Sequence, residues 1–144
     1  MATTATVPAS DCPGTRATAL AAGGLAAGSS VTDTATRDVH ACRWNAAGQA
    51  IDLGVLGTDI HSMVLGGNAA GDCVGVSFTL GKRVTHGVLW NANGTVTALG
   101  DMEAVDINGS RVVAGAANAT GNIPACVRAV RWSAPSVARS CAAW

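Results

Sequence analysis

Apolar and polar residues alternate along this chain with a period of two rather than 3.6. In Arg111-Val112-Val113-Ala114-Gly115 and in Val127-Arg128-Ala129-Val130-Arg131-Trp132, the alternation and the β-branched residues predict strands. The same spacing sets His40, Cys42 and Trp44 on one strand face, and His86, Val88 and Trp90 on another. Between such runs lie turn signals. Asn93-Gly94 separates Leu89-Trp90 from Thr95-Val96-Thr97 and predicts a hairpin with a type I′ turn, which needs positive φ at both central residues. Asn108-Gly109 and Ala47-Gly48 mark equivalent reversals. No helix is expected, because Gly or Asn interrupts nearly every candidate window.

The strand pattern is itself repeated. Trp44, Trp90 and Trp132 close similar phrases 46 and 42 residues apart (90−44 and 132−90): His40-Ala41-Cys42-Arg43-Trp44, His86-Gly87-Val88-Leu89-Trp90 and Arg128-Ala129-Val130-Arg131-Trp132. Upstream of each Trp, residues 17–30, 64–77 and 104–117 align without gaps and place Gly28, Gly75 and Gly115 in register, with Asn68 opposite Asn108. A period of this length signals stacked or radially arranged supersecondary units. The sequence therefore predicts an all-β domain over residues 17–144 made of three four-stranded repeats, about 17–60, 61–103 and 104–144. They are arranged as β-propeller-like blades or, in the alternative, as a β-trefoil. Within the third repeat the expected strands are 104–108, 111–116, 125–132 and 137–141, with a loop over 118–124. Residues 1–16 lie outside the repeats and read as an extended arm.

Composition narrows the functional classes. Half the residues are apolar but mostly Ala and Val, with Phe78 and four Trp as the only aromatics, so the Trp residues should carry much of the packing. Net charge is zero and the nine cations are scattered, which leaves neither a nucleic-acid footprint nor a polybasic membrane patch. Lys82 is the only lysine against eight arginines, a bias that with the Ala and Gly excess points to a GC-rich bacterial gene. No segment offers the ~20 apolar residues that a membrane helix needs. The chain opens Met1-Ala2-Thr3 with no basic region and no apolar run, as expected of a mature secreted N-terminus behind an initiator Met.

Five cysteines, at 12, 42, 73, 126 and 141, contain no C-x-x-C pair, which argues against zinc-ribbon or thioredoxin chemistry. An oxidising compartment with one or two disulfides fits better. If Ser133-Ala134-Pro135-Ser136 forms a turn that pairs Trp132 with Val137, Arg128 lies opposite Cys141 (128+141 = 132+137), and Cys126 stands diagonally from it. A Cys126–Cys141 disulfide is the expectation. Cys42 and Cys73 align with Val88 and Val113, so burial as small hydrophobes is their alternative reading.

The phrases Val105-Asp106-Ile107-Asn108-Gly109, Val112-Val113-Ala114-Gly115, His86-Gly87-Val88-Leu89-Trp90 and Asp52-Leu53-Gly54-Val55-Leu56-Gly57 resemble the HAF-type extracellular repeat of bacteria. The resemblance covers nearly the whole chain, although Cys42 and Val88 replace an aromatic of that pattern and the third repeat lacks the D-L-G phrase. It implies a secreted protein of propeller-like blades and carries no enzymatic activity with it.

Candidate chemistry is sparse. The chain supplies His40, His61, His86 and several Asp, yet no G-x-S-x-G elbow, and Gly71-Asp72-Cys73-Val74-Gly75 places its Cys in a repeat-wide apolar slot. His40 and His86 occupy one repeat position, which points to a role in the fold. His40 and Cys42 lack a second pair at metal-ligand spacing. Asp101, Glu103 and Asp106 read as a solvated turn, and the N-x-S/T triplets at Asn93, Asn108 and Asn118 as turns.

No catalytic residue, metal ligand or cofactor is expected. The uncharged arm Thr3-Thr4-Ala5-Thr6-Val7-Pro8 has strand propensity and no repeat partner within the chain, so it is the candidate for insertion into another protein's sheet. The functional expectation is a secreted, non-catalytic adaptor that binds other protein subunits of an extracellular bacterial assembly, an antibacterial toxin complex among them. The alternative is a small lectin with repeat-related glycan sites. Neither a nucleic acid nor a membrane is an expected partner.

Overall fold

The structure is a computed structural model that describes residues 15–21, 25–33, 35–82, 84–117 and 127–131. Within them every regular element is a strand: β1 (Arg16–Ala21), β2 (Leu25–Asp33), β3 (Asp38–Trp44), β4 (Ala50–Gly54), β5 (His61–Gly67), β6 (Cys73–Phe78), β7 (Thr85–Trp90), β8 (Val96–Gly100), β9 (Met102–Ile107), β10 (Val112–Ala117) and β11 (Val127–Arg131). Neighbouring strands pair antiparallel in chain order, giving sheets β1-β2-β3-β4, β5-β6-β7-β8 and β9-β10-β11. The protein is all-β, as its period-two pattern predicts. A trefoil would require strands closed into a barrel, and none of the described sheets closes. The arm Thr3-Thr4-Ala5-Thr6-Val7-Pro8, the pair Cys126 and Cys141, Trp132 and the expected last strand lie outside the described residues.

Two recurrent bulges explain the repeated phrases. Ala17 pairs with Gly28 but Ala19 with Ala27, so Thr18 is an extra residue. Leu65 and Val105 are extra in the same way beside the pairs Val64 with Gly75 and Ala104 with Gly115. Each bulged strand presses on the glycine opposite it: a Cβ on Gly28, Gly75 or Gly115 would strike the carbonyl oxygen of Arg16, Met63 or Glu103. The second bulge lies on the outer strands, where Leu53 and Leu99 are extra between Asp52 and Gly54 and between Ala98 and Gly100. Gly54 and Gly100 take positive φ there (73° and 90°). Each bulge turns its leucine inward: Leu53 packs on the core cluster between the first two sheets, and Leu99 is buried in the next.

The second sheet lies between the other two. Ala27 and Ala41 of the first sheet meet Val64, Cys73, Val88 and Trp90 of the second. On the opposite face of that sheet, Val74, Leu89 and Leu99 meet Met102, Ala104, Ile107 and Val113 of the third. Strand β5 touches β1, β2 and β3, and β9 touches β5, β6 and β7. Trp44 and Trp90 are each 2% exposed. No disulfide links the described cysteines, Cys42 and Cys73, and both are buried.

Candidate functional site

At one end of the sheets, four hairpin turns share a single construction. Asn45, Asn68, Asn91 and Asn108 each open one, and the backbone N–H three residues on donates back to the Asn carbonyl: Gly48 at 2.8 Å, Gly71 at 3.1 Å, Gly94 at 2.9 Å and Arg111 at 3.0 Å. That third residue sits at positive φ in every case. The turn at Asn93-Gly94 is thus not type I′. Only Gly94 is left-handed (φ 90°), because the Asn93 side chain accepts from the Thr95 N–H (3.0 Å) and hydroxyl (2.8 Å) and holds Asn93 on the ordinary side of φ. At Asn45, Asn68 and Asn108 the side-chain oxygen accepts from backbone N–H groups two and four residues on, which locks the turn.

Arg111 occupies a position where the other turns use glycine, at a left-handed φ of 59° that disfavours a side chain by roughly 1–2 kcal/mol. Its guanidinium compensates by reaching the neighbouring sheet, with Nε 3.3 Å from Asp72 Oδ2 and a terminal nitrogen on Asn91 Oδ1. Asp72 is the hub of this end. Buried, it accepts from the Ala92 N–H (3.0 Å) and from Asn68 Nδ2 (3.1 Å), while Asn68 Nδ2 also donates to the Asn108 carbonyl (3.1 Å) in the third sheet. From the first sheet, Arg43 donates to the Gly71 carbonyl (3.2 Å). Three sheets are therefore tied together around one carboxylate. Beside it, a shallow recess opens between Leu20, Leu25, Arg43, Asp72 and Cys73. Burial pushes the Cys73 thiol above its ordinary pKa, more than the nearby Arg43 charge lowers it, which favours the protonated thiol.

The histidines lie at the other end. His86 Nδ1 is 2.8 Å from Asp59 Oδ2, and Thr79 donates to Asp59 Oδ1 (3.2 Å). His40 Nδ1 is 2.8 Å from Asp52 Oδ2. His61 Nδ1 accepts from the Val39 N–H (3.2 Å), and the Ser62 hydroxyl accepts from Ala41 N–H (2.8 Å) and donates to the Gly54 carbonyl (2.7 Å). Side chains of the second sheet thus satisfy backbone groups of the first where β4 bulges away. Among the described residues no group of three His, Cys, Asp or Glu side chains could hold a metal. Glu103 and Asp106, expected in a solvated turn with Asp101, instead stand on β9, since the alternation from Met102 to Ile107 outweighs their charge.

Burial pushes the Asp59 carboxyl up, but bonds from His86, Ser77 and Thr79, with the His86 charge, outweigh it and leave its pKa below the ordinary value. A depressed carboxylate stabilises the fold above its unfolded pKa of about 3.9 and loses that contribution as pH falls through the lower folded value. Asp59→Asn should therefore lower Tm at pH 7, and the gap to the parent should shrink as pH drops below about 4. A gap independent of pH would show that the charge contributes nothing.

Comparison of the chain with protein-family models, with curated proteins and with solved structures finds no match. The site is accordingly read from its own geometry. The sequence draws attention to His40, His86 and Cys73 and aligns Asn68 with Asn108 as one repeat position, but gives no role to Asp59, Asp72 or Arg111. A signal for the turn hub was present: Asn-x-x-Gly recurs 23 residues apart at Asn45, Asn68 and Asn91 (68−45 and 91−68).

Proposed function

We propose that this chain is a secreted, non-catalytic protein-binding module of an extracellular bacterial assembly, built from propeller-like blades of the HAF-type repeat that its phrases resemble. What carries the reading is the contrast between its inner and outer surfaces. Buried polar groups such as Asp72, Asn68 and Asp59 hold sheets and turns to one another, whereas the outer strands expose apolar side chains along a sheet edge, Ile51 on β4 (41% exposed) and Val96 on β8 (43%). Sheet edges of this kind accept extended segments of partner proteins, main-chain bonds supplying affinity and alternate side chains specificity. The sequence offers a charge-free, strand-prone segment of its own, Thr3 to Pro8, for the reciprocal contact.

The buried ring of Trp90 favours this reading over the lectin. A sugar platform needs an open aromatic face, and the indole at 2% exposure offers none. The test is the mass of the protein recovered from its native culture medium under mild conditions. A stoichiometric complex with other secreted proteins, well above 14.2 kDa, is the expected result. Recovery of the chain alone, together with saturable binding on a glycan array, would replace the adaptor by the lectin.

A further inference from the structure

We propose that Asn108 is a self-modification site, at which the Gly109 amide nitrogen closes on the Asn108 side-chain amide and releases ammonia. The attacking nitrogen must approach the side chain closely, and a Cβ beside it stands in the way, so glycine is the residue that suits this reaction. The chain has two Asn-Gly pairs, Asn93-Gly94 and Asn108-Gly109. Asn45, Asn68 and Asn91 open turns of the same kind but are followed by Ala46, Ala69 and Ala92.

The fold separates the two pairs. All four residues are exposed, and each Asn side-chain oxygen already accepts two hydrogen bonds. At Asn108 these come from the Ser110 N–H (3.0 Å) and the Val112 N–H (2.9 Å), two backbone donors held where they stabilise negative charge developing on that oxygen. The decisive difference lies in the attacking group. The Gly94 N–H donates to the Asn91 carbonyl at 2.9 Å, so its nitrogen is engaged in closing the turn. In the turn at Asn108 that duty falls to the Arg111 N–H, and the Gly109 N–H has no hydrogen-bond partner among the described residues.

The reaction needs only water. The Gly109 nitrogen bonds to the side-chain carbonyl carbon of Asn108 and gives its proton to water, while Nδ2 takes up a proton and leaves as ammonia. Water then opens the resulting cyclic imide at either carbonyl, which leaves an aspartate or an isoaspartate at this position. In the isoaspartate the main chain runs through the former side chain, one carbon longer, and the former main-chain carbonyl becomes a free carboxylate. That carbonyl is the group that accepts from the Arg111 N–H (3.0 Å) and from Asn68 Nδ2 (3.1 Å). Modification therefore loosens both the turn and the tie between the second and third sheets. The proposal goes beyond the adaptor reading and uses no residue of the arm or of a sheet edge, so either can fail without the other.

The experiment incubates the purified full chain in mildly alkaline buffer and follows the Asn-containing peptides by mass spectrometry, where conversion adds one mass unit. Asn108 should convert at least about fivefold faster than Asn93, the factor for one turn hydrogen bond that must open before attack. In concentrated urea the two rates should converge, because both are then unconstrained Asn-Gly pairs. Gly109→Ala adds a Cβ that meets nothing within 4 Å, so it should keep the parent Tm and slow conversion at Asn108 severalfold. Equal rates in the folded chain, a ratio unchanged in urea, or conversion at Asn108 indifferent to Gly109→Ala overturns the proposal.

Discussion

Trp90→Ala should cost roughly 3–5 kcal/mol, the range for truncating a large buried aromatic. The ring is among the largest fully buried side chains and packs in the cluster formed by Ala27, Ala41, Val64, Cys73 and Val88. Its neighbours are small, so they cannot collapse into the space that the indole leaves. A loss of this size is a large part of the 5–15 kcal/mol that a domain usually has. Trp90→Phe separates packing from polarity. The indole Nε1 is buried without an acceptor, so Phe removes an unsatisfied donor while keeping most of the ring, and the loss should fall below about 1.5 kcal/mol. Chemical denaturation of the two variants checks both values, and equal losses would show that the N–H is bonded and the ring less decisive.

Gly75→Ala should be nearly as damaging although it adds one carbon. The new Cβ would strike the Met63 carbonyl oxygen and come within 2.9 Å of its carbon and 3.0 Å of Val64 Cα, all backbone atoms that no rotamer can clear. Strand β5 would have to move or give up the bulge at Leu65, a loss of roughly 3 kcal/mol by comparison with overpacked cores. Gly109→Ala is the control. That glycine lies in an exposed turn with nothing within 4 Å and should tolerate Ala almost without effect. Equal melting temperatures for both variants would mean that the bulge is not held by the repeat glycine.

These two residues also mark what a reader of the sequence could see. The alternation, the positions of the turns and the recurrence of Gly28, Gly75 and Gly115 are local and periodic, so they stand out without coordinates. The reason for the glycines does not: it is a clash with the partner strand, visible only once register is known. The same holds for Leu53 and Leu99, whose Leu-Gly phrase looks like a turn signal but is a bulge that carries the leucine into the core. The type I′ expectation at Asn93-Gly94 failed because the Asn93 side chain supplies an alternative hydrogen bond that the dipeptide rule ignores. Asp72 and Asp59 were passed over because their long-range partners, Arg111 and Ala92 for one and His86, Ser77 and Thr79 for the other, lie 18 to 39 residues away along the chain.

The central claim, that the protein acts by joining other proteins through exposed β structure, is tested most directly by deleting residues 3–8 and measuring two quantities on the same preparation. One is the mass of the complex recovered from culture medium, and the other is the Tm of the isolated domain. The account predicts loss of the partner with Tm almost unchanged. Retention of the partner, or a large fall in Tm that shows the arm completing its own fold, would contradict it.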